Sequence, residues 1–291
     1  MSEGRGAGRN SSMTTTLRPT GPIQYDADGA ASRGYDVCVN GRPVGTVELG
    51  MDTGGGRPVG SVRSLHIDEA DRRRGRGTVA ALAAEEVLRG WDCTEVRAAV
   101  PADAGPALRL VGALGYTERG RNMIKEIPGP PPALPEGVEG RPLDEDEFGR
   151  WLSHAVRHFA QDWISRGVPE DEALARSEAV HARLLPEGRA TPGAHVHHLL
   201  ADGTAVGHVW VSECEVRPGV DGAYVFDVEV AEAYRGRGYG RALMLLAERT
   251  AAEAGRPLIA LHVFEGNRPA LALYESLGYR TTHRNFVKRL L

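Results

Sequence analysis

The sequence predicts an α/β protein of two domains, each a mixed sheet flanked by helices. Three observations carry that prediction. A β-strand, a glycine-rich loop and a helix follow one another twice, at Ser61–Ile67, Arg72-Arg73-Arg74-Gly75-Arg76-Gly77 and Thr78–Arg89, and at Tyr224–Val230, Arg235-Gly236-Arg237-Gly238-Tyr239-Gly240-Arg241 and Ala242–Ala254. The two copies keep a constant offset of 163, which separates Val230 from Ile67, Gly238 from Gly75 and Tyr279 from Tyr116. That period is far longer than a solenoid repeat and points to duplication of a whole domain. Between the copies lies Pro128-Gly129-Pro130-Pro131-Pro132-Ala133-Leu134-Pro135. Prolines at that density oppose both helix and ladder pairing and favour a stiff extended linker.

These boundaries give domains over 13–127 and 138–291, with 128–137 as linker. Residues 1–12 are rich in Gly, Arg and Ser and have no apolar core, so they read as a disordered tail and not a secretion signal, with Met13 as a second candidate start. In the first domain Tyr35–Val39 and Arg42–Leu49 read as a hairpin turning at Asn40-Gly41, and Gly50–Gly56 as a loop. A Pro-Ala-Leu-x-Leu helix starting at Pro106 ends in Leu114-Gly115-Tyr116. The second domain opens with two helical stretches, Leu143–Ser165 and Glu170–Leu185, with Pro169 at a helix start and Pro186-Glu187-Gly188 as a stop. Strands follow at His195–Ala201, Ala205–Glu213 and Tyr224–Val230. After the glycine loop, Leu243, Leu246, Ala247, Thr250 and Ala251 share one helix face, and Gly255 ends the helix. A strand at Leu258–Phe264, a helix at Pro269–Leu277 and a closing strand at Arg280–Arg289 complete it. The first domain has no counterpart of the two opening helices.

Composition narrows the function classes. The hydrophobic fraction of 41% supports two cores, and a formal net charge of −4 argues against a general nucleic-acid binder. The Arg72–Arg74 run lacks interleaved aromatics, which disfavours single-stranded nucleic acid as well. Cys38, Cys93 and Cys214 make no disulfide framework, so a reducing cytoplasm is expected. No apolar run reaches the roughly 18 residues of a membrane span. His195-Val196-His197-His198 lies in a strand without a carboxylate or Cys grouping, so no metal site is expected.

The loop chemistry is that of an anion cradle. Glycines allow backbone N–H groups to converge, and the helix start adds positive potential. Gly75-x-Gly77-x-x-Ala80 also fits a dinucleotide fingerprint, but a charged run from Asp68 to Arg74 separates it from its strand, and no Lys-Ser/Thr follows either loop. A pyrophosphate cradle is therefore favoured over an NAD or ATP site. Arg235, Arg237 and Arg241 also read as solvated loop charges.

Arg-x-x-Gly-x-Gly after a strand ending Val228-Glu229-Val230, followed by Asn267, Tyr274 and Leu277-Gly278-Tyr279, resembles the two signature motifs of the GNAT acetyltransferases. The resemblance covers most of both halves and implies two GNAT-like domains, each with a mixed, mostly antiparallel sheet. It implies acetyl-CoA as cofactor, with Val228, Glu229 and Val230 holding the pantetheine arm and Arg235, Gly236, Arg237, Gly238, Tyr239, Gly240, Arg241 and Asn267 the rest of the molecule. Tyr274 is then the acid that protonates the departing thiolate; by composition alone it reads as a core aromatic beside Leu271 and Leu277. Asn267 has a sufficient structural role as a helix cap. For the base, Asp227 and Glu229 alternate with valines on one strand face, Glu213 is a third choice, and His262 occupies the position of a base used by one protein-acetylating branch. A second, weaker cofactor site is implied at Ile67, Arg72, Arg73, Arg74, Gly75, Arg76, Gly77 and Thr78. There the offset puts Val111 for Tyr274, Ala104 for Asn267 and Ala99 for His262, so the first domain reads as a catalytically weakened copy.

The expected activity is acetyl transfer to a primary amine of a small molecule or peptide by a monomer (an internal pseudo-dimer) or a homodimer. The alternative is a non-catalytic coenzyme-A-binding module. Tandem members of the family include the mycothiol synthases, with which the duplication is compatible, but no motif specifies the acceptor.

Overall fold

The computed structural model describes residues 14–26, 29–53, 57–164 and 168–290, the Asp162 side chain excepted. The expected disordered tail and the centre of the Gly50–Gly56 loop lie outside the described residues. The chain forms two compact units, 1–118 with 285–291, and 119–284. These differ from the division expected at the proline stretch, because residues 119–126, at the end of the first half, fall in the unit of the second half, and residues 285–291, at the end of the second, fall in the unit of the first.

In the first unit, β1 (Thr15–Pro19), β3 (Ala31–Val39), β4 (Arg42–Asp52) and β5 (Val59–Ile67) form an antiparallel ladder, with β2 (Gln24–Tyr25) beside β3. The β3–β4 hairpin turns on Asn40 (φ 50°) and Gly41 (φ 81°), the left-handed pair that a two-residue turn requires. Parallel β6 (Glu95–Pro101) joins β5 through helix α1 (Arg76–Arg89). Val37, Val44, Leu49, Ala84, Leu88 and Val96 are fully buried and form the core, which helix α2 (Gly105–Ala113) covers with Val111. The C-terminal residues complete this unit. Phe286 and Leu290 pack into that core, and Leu290 N donates to Thr94 O at 2.9 Å.

The second unit begins with residues 119–126 of β7 (Thr117–Glu126), which pair antiparallel with β12 (Leu258–Phe264) in the register His262↔Asn122. β8 (Val138–Pro142), β9 (Ala194–Ala201), β10 (Thr204–Arg217) and β11 (Val220–Val230) form an antiparallel ladder. Parallel β12 follows through helix α5 (Tyr239–Glu253), and the first residues of β13 (Arg280–Arg289) lie beyond β7. Helix α5 buries Leu243, Met244, Leu246 and Ala247 against Val209, Val225 and Ile259 on one face of the sheet. On the other side, a separate cluster joins Phe148 and Trp151 of helix α3 (Glu145–Ile164) to Trp210 of β10; helix α4 (Glu170–Leu184) packs on α3.

One trio of side chains marks the strand exchange in both units. In the second, Lys125 Nζ bonds Glu248 Oε2 at 2.7 Å and lies 5.6 Å from the Tyr279 ring centre. In the first, Lys288 Nζ bonds Glu85 at 2.7 and 2.9 Å and lies 5.5 Å from the Tyr116 ring. Each pair of counterparts differs by 163. Lysine from one half thus meets glutamate and tyrosine from the other, in both directions.

Candidate active site

The parallel pairing of β11 with β12 covers only Ala223↔Ile259 to Val225↔Leu261. Both strands then continue, to Val230 and Phe264, without a ladder between them. This opening presents the β11 main chain at 226–230 along an open edge, and β10 pairs its other side. The first unit repeats the geometry: β5 and β6 pair only from Val59↔Glu95 to Val62↔Ala98.

A bulge fixes which side chains face which layer. Trp210 pairs with Asp227 and Val211 with Val225, so Phe226 is the extra residue. Ala223 and Val225 face the α5 core, as do Val228 and Val230, three and five residues beyond Val225. Strict alternation would have sent Asp227 into that core; the bulge reverses the parity and brings Asp227 and Glu229 to the α3 side. The expectation that these carboxylates share a face agrees with the geometry, for this added reason.

On that face Asp227 accepts from His208 Nε2 at 2.8 Å and from Trp151 Nε1 at 3.3 Å. Burial raises the carboxyl's pKa, but the His208 and Trp151 N–H groups and the neighbouring His158 outweigh it and hold the group below its ordinary value. Glu229 is 3.1 Å from His154 Nε2 and 3.8 Å from Arg235. Trp210 stacks on the part-exposed Phe226, which touches Tyr224. Glu213 is in a different network, with Arg256 at 2.6 Å and His195 at 3.3 Å.

Helix α6 (Arg268–Ser276) supplies Tyr274. Asn267 caps that helix, accepting from Ala270 N at 3.2 Å, as its position before Pro269 predicts. Tyr274 is 7% exposed, and its ring lies 5.8 Å from that of Tyr279. Burial, with the Asp227 charge, pushes the phenol up to about 12, so it holds its proton throughout the neutral range. On β12, His262 Nδ1 is 2.9 Å from Asn122 Oδ1, its ring is edge-on to Phe264, and burial lowers its pKa.

The glycine loop has the conformation an anion cradle needs. Gly236 and Gly238 have φ of 75° and 86°, and an added Cβ at either would meet nothing within 4 Å. Backbone sign therefore selects glycine there, not crowding. Gly238 caps α5, whose first amides have no partner within the helix. Arg235 Nε donates to Val230 O at 3.2 Å, Arg241 to Ser276 Oγ at 2.5 Å, and Arg237 lies over the Tyr234 ring. The loop and the open strand edge together suit a diphosphate followed by an amide-bearing arm.

The first unit keeps the loop's backbone and changes its chemistry. Arg73 (φ 57°) stands where Gly236 does, and Gly75 (φ 73°) where Gly238 does. Asp71 and Arg76 are both buried and form an ion pair, and Arg42 bonds Asp71 at 2.8 Å. Tyr234 and Tyr239, an edge-on aromatic pair, occupy the matching positions of the second unit. Arg72 repeats the role of Arg235 by donating to Ile67 O at 2.7 Å.

Four residues at or beside the site are not signalled by the loop motifs: Trp151, His154, His208 and Asn122. His154 and His158 stand one helical turn apart, and His208 alternates with Trp210, which are signals in principle. Asn122 has none, because it reaches the site only through the strand exchange. Among the described residues no group of three or more His, Cys, Asp or Glu could hold a metal.

The acetyltransferase (GNAT) family model matches residues 10–116 and 154–279. An N-acetyltransferase of Bacillus subtilis, YycN, is 32% identical over 152 residues, covering 51% of this chain and 96% of its own. A mycothiol acetyltransferase of Saccharomonospora viridis is 28% identical over 291 residues, covering 94% of this chain and 89% of its own. A solved tandem GNAT protein from the clavulanic acid biosynthesis pathway matches with a TM-score of 0.53 at 22% identity, covering 92% of this chain and 85% of its own.

Proposed function

The chain belongs to the acetyltransferase (GNAT) family, and from that premise we propose that its second unit transfers an acetyl group from acetyl-CoA to a primary amine. One observation carries the reading: the buried, protonated Tyr274 phenol accompanies an intact glycine loop and an open strand edge, and the first unit has Val111 in its place. Acetyl-CoA supplies the activated acyl thioester. Main-chain groups of Val228–Val230 hold its pantetheine arm and favour the polarised carbonyl. Gly236–Arg241 hold the pyrophosphate through converging amides. Asn267 adds a polar contact beside its capping role.

Tyr274 Oη delivers its proton to the departing thiolate, a contribution typically worth roughly 10²–10⁴ in rate. Asp227 already accepts two N–H groups, so it acts by charge: it draws the ammonium form of the acceptor to the α3 face and keeps Tyr274 protonated. Glu229 and His154 stand ready to relay the proton toward solvent, and His262 is the imidazole that β12 carries. The first unit serves as a scaffold or a weakened coenzyme-A site, at Ile67 and Arg72–Thr78.

The test is Tyr274→Phe. Thiol release with an amine panel should fall at least a hundredfold while calorimetry gives an unchanged acetyl-CoA affinity. Equal turnover in the variant would refute the assignment. A second reading takes the acceptor to be the one its mycothiol-acetyltransferase relatives act on; their similarity extends over both halves and favours including that substrate in the panel.

A further inference from the structure

We propose that the acceptor is an arylalkylamine: a primary amine whose aromatic ring stacks on Phe226 while its ammonium lies against Asp227 and Glu229. This names the substrate class of the second unit and rests on the reading of that unit as an amine acetyltransferase. Three observations carry it. First, His181, Trp210 and Phe226 form a column of rings, with centres 5.9 and 4.8 Å apart and planes inclined by 29° and 26°. His181 and Trp210 are buried, but the column ends on Phe226, which is 37% exposed where β11 parts from β12. Second, the bulge sends two consecutive side chains, Phe226 and Asp227, to the α3 side, so an apolar ring adjoins a carboxylate. Third, Phe264 at the end of β12 is 57% exposed. It alternates with Leu258 and Ala260, which cluster with Tyr224 away from the α5 core, so it faces the same side of the sheet as Phe226.

Large rings left in water beside carboxylates select a ligand that has both characters. A flat ring laid on Phe226 extends the column by one offset layer, an arrangement that aromatic pairs prefer. Asp227 accepts from the His208 and Trp151 N–H groups and keeps its negative charge. Glu229 already faces His154 at 3.1 Å and Arg235 at 3.8 Å, so Asp227 is the main counter-charge for the ammonium. A polyamine or an aminoglycoside has several ammonium groups to pair. Glu213 on β10 is engaged with Arg256 and His195, and the column beside Asp227 is built of rings. Those hydrophilic amines would leave Phe226 and Phe264 in water.

Rates of the full chain with acetyl-CoA are compared for 2-phenylethylamine, ethylamine and spermidine. Burying a phenyl ring is worth roughly 10–100-fold, so kcat/KM for 2-phenylethylamine should exceed that for ethylamine by this factor, mainly through KM, and should exceed that for spermidine. Phe226→Ala should shrink the ratio of 2-phenylethylamine to ethylamine about tenfold, again through KM, and Phe226→Leu, which keeps apolar bulk, only about threefold. Phe264→Ala removes an exposed ring, keeps the test open if Phe226→Ala does not fold, and should shrink the ratio about threefold. A wild-type ratio near one, a preference for spermidine, or a ratio unchanged in the alanine variants overturns the proposal. So does a dimer in light scattering that Phe264→Ala dissociates, because a second copy then covers the rings. A wild type inactive on these and on the wider amine panel overturns the proposed function instead. Calorimetry of 2-phenylethylamine in the presence of coenzyme A then decides the ring site: binding that Phe226→Ala weakens supports it, and no binding overturns it.

Discussion

In the proposed reaction, Asp227 is the side chain that would couple the acceptor to the acid. Its carboxylate sits among Trp151, His208 and the field of Tyr274. Replacing it with Asn removes a negative charge, so the Tyr274 phenol should titrate at lower pH than about 12, measured by ultraviolet difference titration. kcat should fall about tenfold or more, because the acceptor's ammonium loses its counter-charge. In the first unit, Asp71→Ala strands the buried Arg76 guanidinium. Loss of one partner from a buried pair costs about 3–5 kcal/mol, and chemical denaturation should show it in that unit. At this scale the sequence was informative where chemistry is local: Asn267 and the loop glycines are legible because capping and positive φ are properties of contiguous residues, whereas Tyr274 stands out only through the family resemblance. The partners of Asp227 come from a helix and a neighbouring strand, and only packing brings them together.

The informative elements are β7 and β13. Each ends one half of the sequence, and residues 119–126 of the one and 285–289 of the other fall in the opposite unit. A chain beginning at 138 lacks β7, which leaves β12 with an open edge and buried Glu248 without Lys125. Such a fragment should be recovered aggregated or as an oligomer in size-exclusion chromatography, and one beginning at 117 should not. Within the trio, Lys125→Met alone should destabilise by about 3 kcal/mol, and Lys125→Met with Glu248→Leu should regain most of it, because removing both charges leaves none buried alone. Urea melts of the single and double variants measure this. Helices and strands flanking the glycine loops were readable from periodicity. The bulge at Phe226 was not, since one extra residue leaves no mark in a pattern of alternation.

Across the molecule, pH should act through buried neutral groups. His197 on β9 has its pKa lowered to about 4, first by burial and then by His195. The unfolded chain binds this proton more readily, so stability is complete above the ordinary value of 6.5 and declines as pH falls toward 4. The loss from this residue is at most about 3 kcal/mol. Denaturation at pH 7.5 and pH 4.5 should show a smaller difference for His197→Phe than for wild type. Among the described residues no helix is long and apolar enough to cross a membrane.

By itself the sequence determined that a strand–loop–helix cradle occurs twice, 163 residues apart, and that the later copy has Tyr274, Asn267 and His262 where the earlier has Val111, Ala104 and Ala99. Tertiary structure alone decided which lysine meets which glutamate. Lys125 and Lys288 are the same residue at the same offset, so the exchanged and unexchanged pairings have identical local chemistry, and no pattern along the chain distinguishes them. The choice depends on how the strands following each Leu-Gly-Tyr are routed through space, and that routing brings Asn122 to His262.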